Sequence, residues 1–126
     1  MCKRIFILTL LLSLAILTGC SSDSDPLSAD FGADYSIVVT GDLPAVSSNT
    51  LRVILFYIGC EPNHEFTLNT EETGNNEYRV WLTKNTPNQD CQQSFEELRE
   101  FPLPEETNGS RIVFIAPNFE GVLREI

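Results

Sequence analysis

Hydrophobic and polar residues alternate with a period of two along the chain from residue 35 onward, and this is the period of a β-strand. Residues 35–40, 64–70 and 77–83 show the alternation. Residues 51–58 form a nearly continuous hydrophobic run, which is typical of a strand that is covered on both faces or lies at the centre of a sheet. The positions predicted to face the core are Tyr35, Ile37, Val39, Phe66, Leu68, Tyr78, Val80 and Leu82.

Turn-forming residues separate these segments and indicate how the strands are connected. Residues 71–76 contain Gly and Asn and join two alternating segments into a hairpin. Residues 111–116 and 122–126 predict a second hairpin. Between the hairpins, Ser94 and Glu97 match a helix capping box, but Pro102 excludes a longer helix. We expect an edge strand over residues 98–103, with room for one helical turn before it.

The segments add up to seven short strands at regular spacing. They predict an all-β fold, a small antiparallel immunoglobulin-like sandwich over residues 35–126. Cys60 precedes the first strand of the first hairpin and Cys91 follows its second strand, so both should lie at the same end of the sheet. A disulfide between them is expected in an exported domain and should contribute about 3–4 kcal/mol.

The first 19 residues have the pattern of an export signal. Lys3 and Arg4 precede an apolar run over residues 5–17. A helix of this length rises about 20 Å, which is too short for the roughly 30 Å hydrocarbon core of a bilayer. A charged start followed by a short apolar run predicts a cleaved signal peptide rather than a permanent membrane span.

The residues at the end of this signal, Leu17-Thr18-Gly19-Cys20, resemble the lipobox of bacterial lipoproteins. The resemblance implies that the Cys20 thiol receives a diacylglycerol, that the chain is cut before Cys20, and that the new amine is acylated. Two or more acyl chains anchor a protein stably on a membrane. In such lipoproteins an Asp after the cysteine favours the inner membrane, so Ser21 favours the outer one. A secretory signal that releases a soluble protein and an uncleaved anchor are the alternatives.

Composition limits the partners that the exported chain can have. Residues 20–34 are rich in Ser, Asp, Gly and Ala, which predicts a flexible tether. Without Lys3 and Arg4 the chain has 6 basic and 18 acidic residues, a net charge of −12. We expect no nucleic-acid partner, because phosphate binding needs clustered Lys and Arg. Direct docking on anionic lipid is disfavoured for the same reason.

A second resemblance covers about 45 residues of the domain. It is carried by a GC-x3-HxF … NxDC pattern followed by two short segments, Phe95-Glu96-Glu97 and Phe101-Pro102-Leu103. The residues of the pattern are Gly59, Cys60, His64, Phe66, Asn88, Asp90 and Cys91. The pattern is similar to that of a group of uncharacterised bacterial lipoproteins and secreted proteins. The resemblance implies the sandwich and the disulfide, and it implies no activity.

The predicted disulfide end holds the chain's only histidine. His64 is expected there with the carboxylates of Glu61, Glu65 and Asp90, a donor set that suits Zn²⁺ or Mn²⁺. The alternative is that His64 packs or hydrogen-bonds on the strand face of Phe66 while the acids are solvated. We favour this alternative and expect no cofactor.

Neither catalysis nor a defined binding site is indicated by the remaining residues. The chain lacks a GxSxG motif, and neighbouring carboxylates on a strand point to opposite faces, so we expect no enzyme. Trp81 lies on the strand face of Arg79 and Thr83. It is predicted either to be covered by the second sheet, the preferred interpretation, or to mark a contact patch.

These observations lead to the hypothesis of a membrane-anchored bacterial lipoprotein that acts as a non-catalytic binding or envelope-structural module. Its expected partners are the membrane, through the lipid, and an envelope protein. One alternative is a metal-binding module at the disulfide end. Another is a protease inhibitor, because such inhibitors also use disulfide-braced loops.

Replacing Cys20 tests the anchoring prediction. Cys20→Ser is expected to abolish lipid incorporation and to deplete the protein from the membrane fraction, because a hydroxyl does not replace the thiol that carries the lipid. Labelled palmitate and cell fractionation measure both effects. Cys2→Ser, which changes a residue of the signal, should alter neither. A Cys20→Ser protein that is processed normally and stays on the membrane would contradict the prediction.

Overall fold

A computed structural model describes residues 29–126 of the chain. Cys2, the signal peptide and the lipid site Cys20 lie outside the described residues. The described part contains eight strands and one short 3₁₀ helix, Glu105–Thr107. The strands are β1 (Ser36–Val38), β2 (Ala45–Ser47), β3 (Thr50–Gly59), β4 (Phe66–Gly74), β5 (Glu77–Lys84), β6 (Gln93–Pro102), β7 (Arg111–Ala116) and β8 (Phe119–Arg124).

The strands form two four-stranded sheets that pack face to face. In the first, called the β3 sheet, β3 pairs with β6 on one side and with β1 and β2 on the other. In the second, called the β5 sheet, the order is β4-β5-β7-β8. All pairs are antiparallel except β5 and β7. The predicted all-β sandwich is confirmed, with eight strands where the sequence predicted seven.

The core lies between the sheets and is built on strict alternation along β3. Leu51, Val53, Leu55 and Tyr57 face inward and are buried, whereas the residues between them face outward. On the β5 sheet Val80 and Leu82 are fully buried, as the sequence predicted. Each buried side chain of this size contributes roughly 1.5–3 kcal/mol of burial free energy. The continuous hydrophobic run at 51–58 therefore marks the centre of a sheet and not a strand covered on both faces.

The hairpins predicted from sequence are both present, with shorter turns than expected. Strands β4 and β5 are joined at Asn75-Asn76, and β7 and β8 at Pro117-Asn118. A third hairpin, β2–β3, was not predicted. Its two turn residues, Ser48 and Asn49, both have positive φ, which is the requirement of a type I′ turn.

Two sequence predictions about local structure are wrong. No helical turn forms at Ser94, because β6 begins at Gln93 and pairs with β3 along ten residues. The predicted edge strand is correct in type but is several residues longer than 98–103. Val39, predicted to face the core, follows the end of β1 and is 54% exposed.

The start of the domain lies earlier than the sequence suggests. Residues 30–34 were assigned to the tether, but the backbone of Phe31 and Ala33 is hydrogen-bonded to that of Lys84 at the end of β5. Phe31 also packs against the core. The chain therefore enters the sandwich at the end where β5 terminates. Between residues 29 and 126 no helix is long and apolar enough to cross a membrane.

Candidate binding surface

The disulfide closes one end of the β3 sheet. Cys60 follows β3 and Cys91 precedes β6, and their Cα atoms are 4.8 Å apart. The pairing and its position at one end of the fold are confirmed. The two cysteines are brought together by a different pair of strands than expected. The sequence assigned their proximity to the β4–β5 hairpin, but the bridge follows the last pair of the β3–β6 ladder, Gly59 and Gln93. It closes a loop with a sequence separation of 31, for which about 3–4 kcal/mol is expected.

His64 is a core residue next to this disulfide. It is only 2% exposed, and its ring stacks on that of Tyr57 with centroids 4.3 Å apart. The backbone N–H of His64 donates to the Tyr57 hydroxyl, and Nε2 donates to Oε1 of Gln89 at 3.2 Å. Gly59 lies against the same imidazole, and a Cβ there would be 2.7 Å from His64 Cε1. The histidine thus fastens the β3–β4 connection onto the end of β3.

The predicted metal ligands are not gathered around His64. Glu61, Glu65 and Asp90 are exposed, and the Glu61 carboxylate accepts a hydrogen bond from Gln89. In the part of the chain that the structure describes, no three His, Cys, Asp or Glu side chains lie close enough to hold a metal ion. Nδ1 of His64 is buried without a hydrogen-bond partner among these residues. The geometry agrees with the packing role that the sequence favoured.

An ion pair lies on the inner side of β6 at the same end. Arg99 Nη2 is 2.7 Å from Glu97 Oε1, and the guanidinium also donates to the carbonyl of His64. Burial disfavours the charged carboxylate of Glu97, but the Asn63 N–H, the Tyr57 hydroxyl and Arg99 outweigh this effect and hold its pKa below the ordinary value. Both charged groups, the Glu97 carboxylate and the Arg99 guanidinium, therefore have hydrogen-bond partners within the domain.

Lys84 is a second charged residue in the interior of this end. Its Nζ donates to the carbonyl of Thr86 at 2.8 Å and lies 5.4 Å from the centre of the Tyr57 ring. Burial lowers the pKa of Lys84, and the nearby carboxylate of Asp34 acts in the opposite direction. Because these partners belong to the domain itself, Lys84 has a structural role at the place where residues 31–33 join β5.

Trp81 lies on the outer face of the β5 sheet, facing away from the β3 sheet. The interpretation that the second sheet covers it is wrong, because Val80 and Leu82 occupy the inward positions. Trp81 is half-buried by its own sheet. It pairs with Asn69 on one side and Ile115 on the other, and Val113 on the same face is buried. Val122, which pairs with Val113 on this face, is its one exposed large apolar residue, at 40%.

The outer face of the β3 sheet is more exposed and was not predicted as a site. Its apolar residues are Val38, Ile54, Phe56, Ile58 and Leu98. Val38 and Leu98 flank Ile54 from opposite sides as its paired residues. Ile58 is 40% and Leu98 is 53% exposed. We call these five residues the outer apolar patch.

A groove continues the outer apolar patch toward the disulfide. Its volume is about 360 Å³. Phe56 and Ile58 from the patch line one part of it, and Tyr35 and Tyr57 also line it. Polar residues from two neighbouring segments form the rest of the lining. These polar residues are Asp34, Ser36, Asn88 and Gln89. The combination of an apolar floor with a polar rim is typical of protein interaction sites.

The polar rim of this groove is held in place by hydrogen bonds. Asn88 accepts a bond from the backbone N–H of Asp34 and donates to its carboxylate. Gln89 accepts bonds from the N–H of Cys60 and from His64. The packing of His64 thus fixes Gln89, and Gln89 forms part of the rim. One sequence signal could have indicated the patch. In residues 51–58 the apolar residues between the inward-facing ones, Ile54, Phe56 and Ile58, are not part of the core.

Comparisons of this chain with protein-family models, with curated proteins and with solved structures found no match.

A substitution at Gly59 tests whether His64 and Gln89 are packed as described. Gly59→Ala is expected to lower the free energy of unfolding by about 1–3 kcal/mol, because the new methyl group would overlap both side chains. Urea denaturation measures the change. Gly41→Ala, at a position with no atom near the added Cβ, is the matched control and should change stability little. Equal stability of the two variants would show that this packing is absent.

Proposed function

We propose that this protein is a lipid-anchored, non-catalytic binding module of the bacterial envelope that engages a partner protein through the outer apolar patch. The exposure of Ile58 and Leu98 on one face of the β3 sheet carries the proposal. Exposed apolar residues that are contiguous mark interaction sites more often than scattered ones do. The interior of the sandwich already holds a complete core, so these residues are not needed to fold it.

The rim of the patch suggests the charge of the partner. Carboxylates of Asp34, Glu96 and Glu100 surround the apolar residues, and the cation of Arg52 is already paired with Glu100. A partner surface with an apolar centre and basic residues around it would be complementary. Charge complementarity of this kind raises the association rate and selects among partners.

The proposed anchor gives this surface a defined distance from the membrane. The lipobox resemblance supports lipidation at Cys20, and Ser21 favours an outer membrane. Nine residues lie between Cys20 and Asp30, where the backbone first contacts the sandwich, so the tether reaches at most about 35 Å. Because the chain enters near the groove, the patch would face partners that lie close to the membrane.

Replacing Ile58 with a charged residue tests the proposed surface. Ile58→Glu in full-length lipidated protein is expected to abolish capture of an envelope protein that the wild type retains after cross-linking and detergent extraction. A carboxylate at this position, between the patch and the groove, would be desolvated in the contact without a partner. Mass spectrometry compares the captured proteins.

Val122→Glu is the matched control, because Val122 is also a β-strand residue with 40% exposure but lies on the β5 sheet. It should leave capture unchanged. Loss of the same captured protein in Val122→Glu but not in Ile58→Glu would place the contact on the β5 sheet and refute the proposal. Thermal unfolding confirms that both variants are folded.

A further inference from the structure

Strand β6 forms an edge of the β3 sheet that has no partner among residues 29–126. It pairs with β3 over ten residues without a register shift. Its opposite side makes no strand pair within that range. The neighbouring edge strand of the other sheet, β4, has a register irregularity between Glu72 and Gly74, a feature that protects an edge from pairing. The regular edge of β6 lacks this protection.

The hydrogen-bond pattern identifies which backbone groups of β6 face outward. Both backbone groups of Ile37 bond to the Asn118 amide at 2.9 Å and so point away from β3. Its paired residue Leu55 must then direct its own groups toward β6, to Glu97, because opposed residues in an antiparallel pair either exchange both bonds or none. The groups of Glu96, Leu98 and Glu100 consequently point to the free edge.

Two further residues agree with this assignment. The N–H of Leu103, an odd-numbered residue like Glu97, donates to the carbonyl of Asn49 in the chain preceding β3. Pro102, an even-numbered residue, has no N–H to donate and occupies a position that faces the free edge. Proline is tolerated in a strand at such positions. The free edge therefore offers unpaired donors and acceptors at alternate residues.

The side chains beside these groups determine what can pair with the edge. Glu96, Leu98 and Glu100 lie on the outer face of the sheet, next to the outer apolar patch. If a second copy of β6 paired antiparallel about Leu98, each Glu96 would oppose a Glu100. Like charges directly opposite each other destabilise a strand pair. A second copy is thus disfavoured, and a strand with cations at the same positions is favoured. Arg52 bonds to Oε2 of Glu100, which leaves Oε1 of this exposed carboxylate to meet the second cation.

We propose that β6 binds an extended segment of the partner as a fifth strand of the β3 sheet, and that this segment has the alternating pattern cation–apolar–cation. Backbone bonds to alternate residues of β6 provide affinity, and the pattern opposite Glu96, Leu98 and Glu100 provides specificity. The inference rests on the proposed function and adds the chemical pattern of the segment by which the partner protein binds. The pattern is symmetric, so it holds for either strand direction.

A synthetic peptide, acetyl-Thr-Lys-Thr-Val-Thr-Lys-Thr-amide, is the probe for this edge. Amide hydrogen exchange of the isotope-labelled exported chain, followed by nuclear magnetic resonance, should slow saturably at Glu96, Leu98 and Glu100 when the peptide is added. The amides of Glu97 and Arg99 already bond to β3 and should not change. Equal slowing of both sets, or none, would overturn the inference.

Charge exchange tests specificity. The double substitution Glu96→Lys/Glu100→Lys is expected to weaken binding of this peptide about tenfold. The same variant should instead bind a second peptide in which Glu replaces both Lys residues. Glu106→Lys/Glu120→Lys makes the same change at exposed sites away from β6 and should bind like the wild type. Equal binding by both variants would overturn the inference. Protection of the β6 edge that rises with protein concentration alone would identify a second copy as the occupant and would also overturn it.

The two proposals can fail separately. If the peptide gives no protection while Ile58→Glu still abolishes capture of the envelope partner, the edge inference is wrong and the outer apolar patch remains the binding surface. If the peptide protects the edge but Ile58→Glu leaves capture unchanged, the proposed role of the patch is wrong and the edge remains.

Discussion

The packing of strand β3 against the β5 sheet is the interaction on which the rest of the structure depends. Its four inward side chains, from Leu51 to Tyr57, have exposures of at most 1%. Its two sides hold β1, β2 and β6 in one sheet. At its end, Gly59 receives the buried ring of His64, and Cys60 continues into the disulfide. Because strand side chains alternate, fixing the inner face also fixes which residues point to solvent.

This constraint connects folding with the proposed binding surface. Ile54, Phe56 and Ile58 belong to the same strand as the core residues but face outward. The disulfide end positions the groove beside them, since Gln89 both bonds to His64 and forms part of the rim. Two charged residues of this end, half-buried Glu97 and buried Lys84, have internal partners. They contribute to holding the loops, while the proposed contact uses the apolar residues and the carboxylates around them.

Much of the fold follows from local patterns in the sequence. Alternation predicted the inward positions of β5, and turn residues predicted both β4–β5 and β7–β8. Strand β2 was missed because three residues give too short a pattern, although Ser48-Asn49 is a type I′ turn. The ten-residue pairing of β6 and the parallel pair β5–β7 depend on contacts between distant segments, which local patterns do not determine.

The candidate site was predicted less well, for a related reason. A continuous hydrophobic run does not show which of its residues face the core, so the outward position of Ile54 and Phe56 required the sheet pairing. Trp81 is a candidate contact residue by its residue type, yet the structure places it half-buried on a face where Val122 is the one exposed large apolar residue. The cysteine pair was predicted correctly because Cys60 and Cys91 lie at segment ends that the fold brings to one side.

The claim that the outer apolar patch serves binding and not folding is tested most directly by the double variant Ile58→Thr/Leu98→Thr. Threonine retains strand propensity while removing apolar surface. We expect a free energy of unfolding within about 1 kcal/mol of the wild type, measured in urea, together with loss of the captured envelope partner. A loss of several kcal/mol in stability with unchanged capture would contradict it.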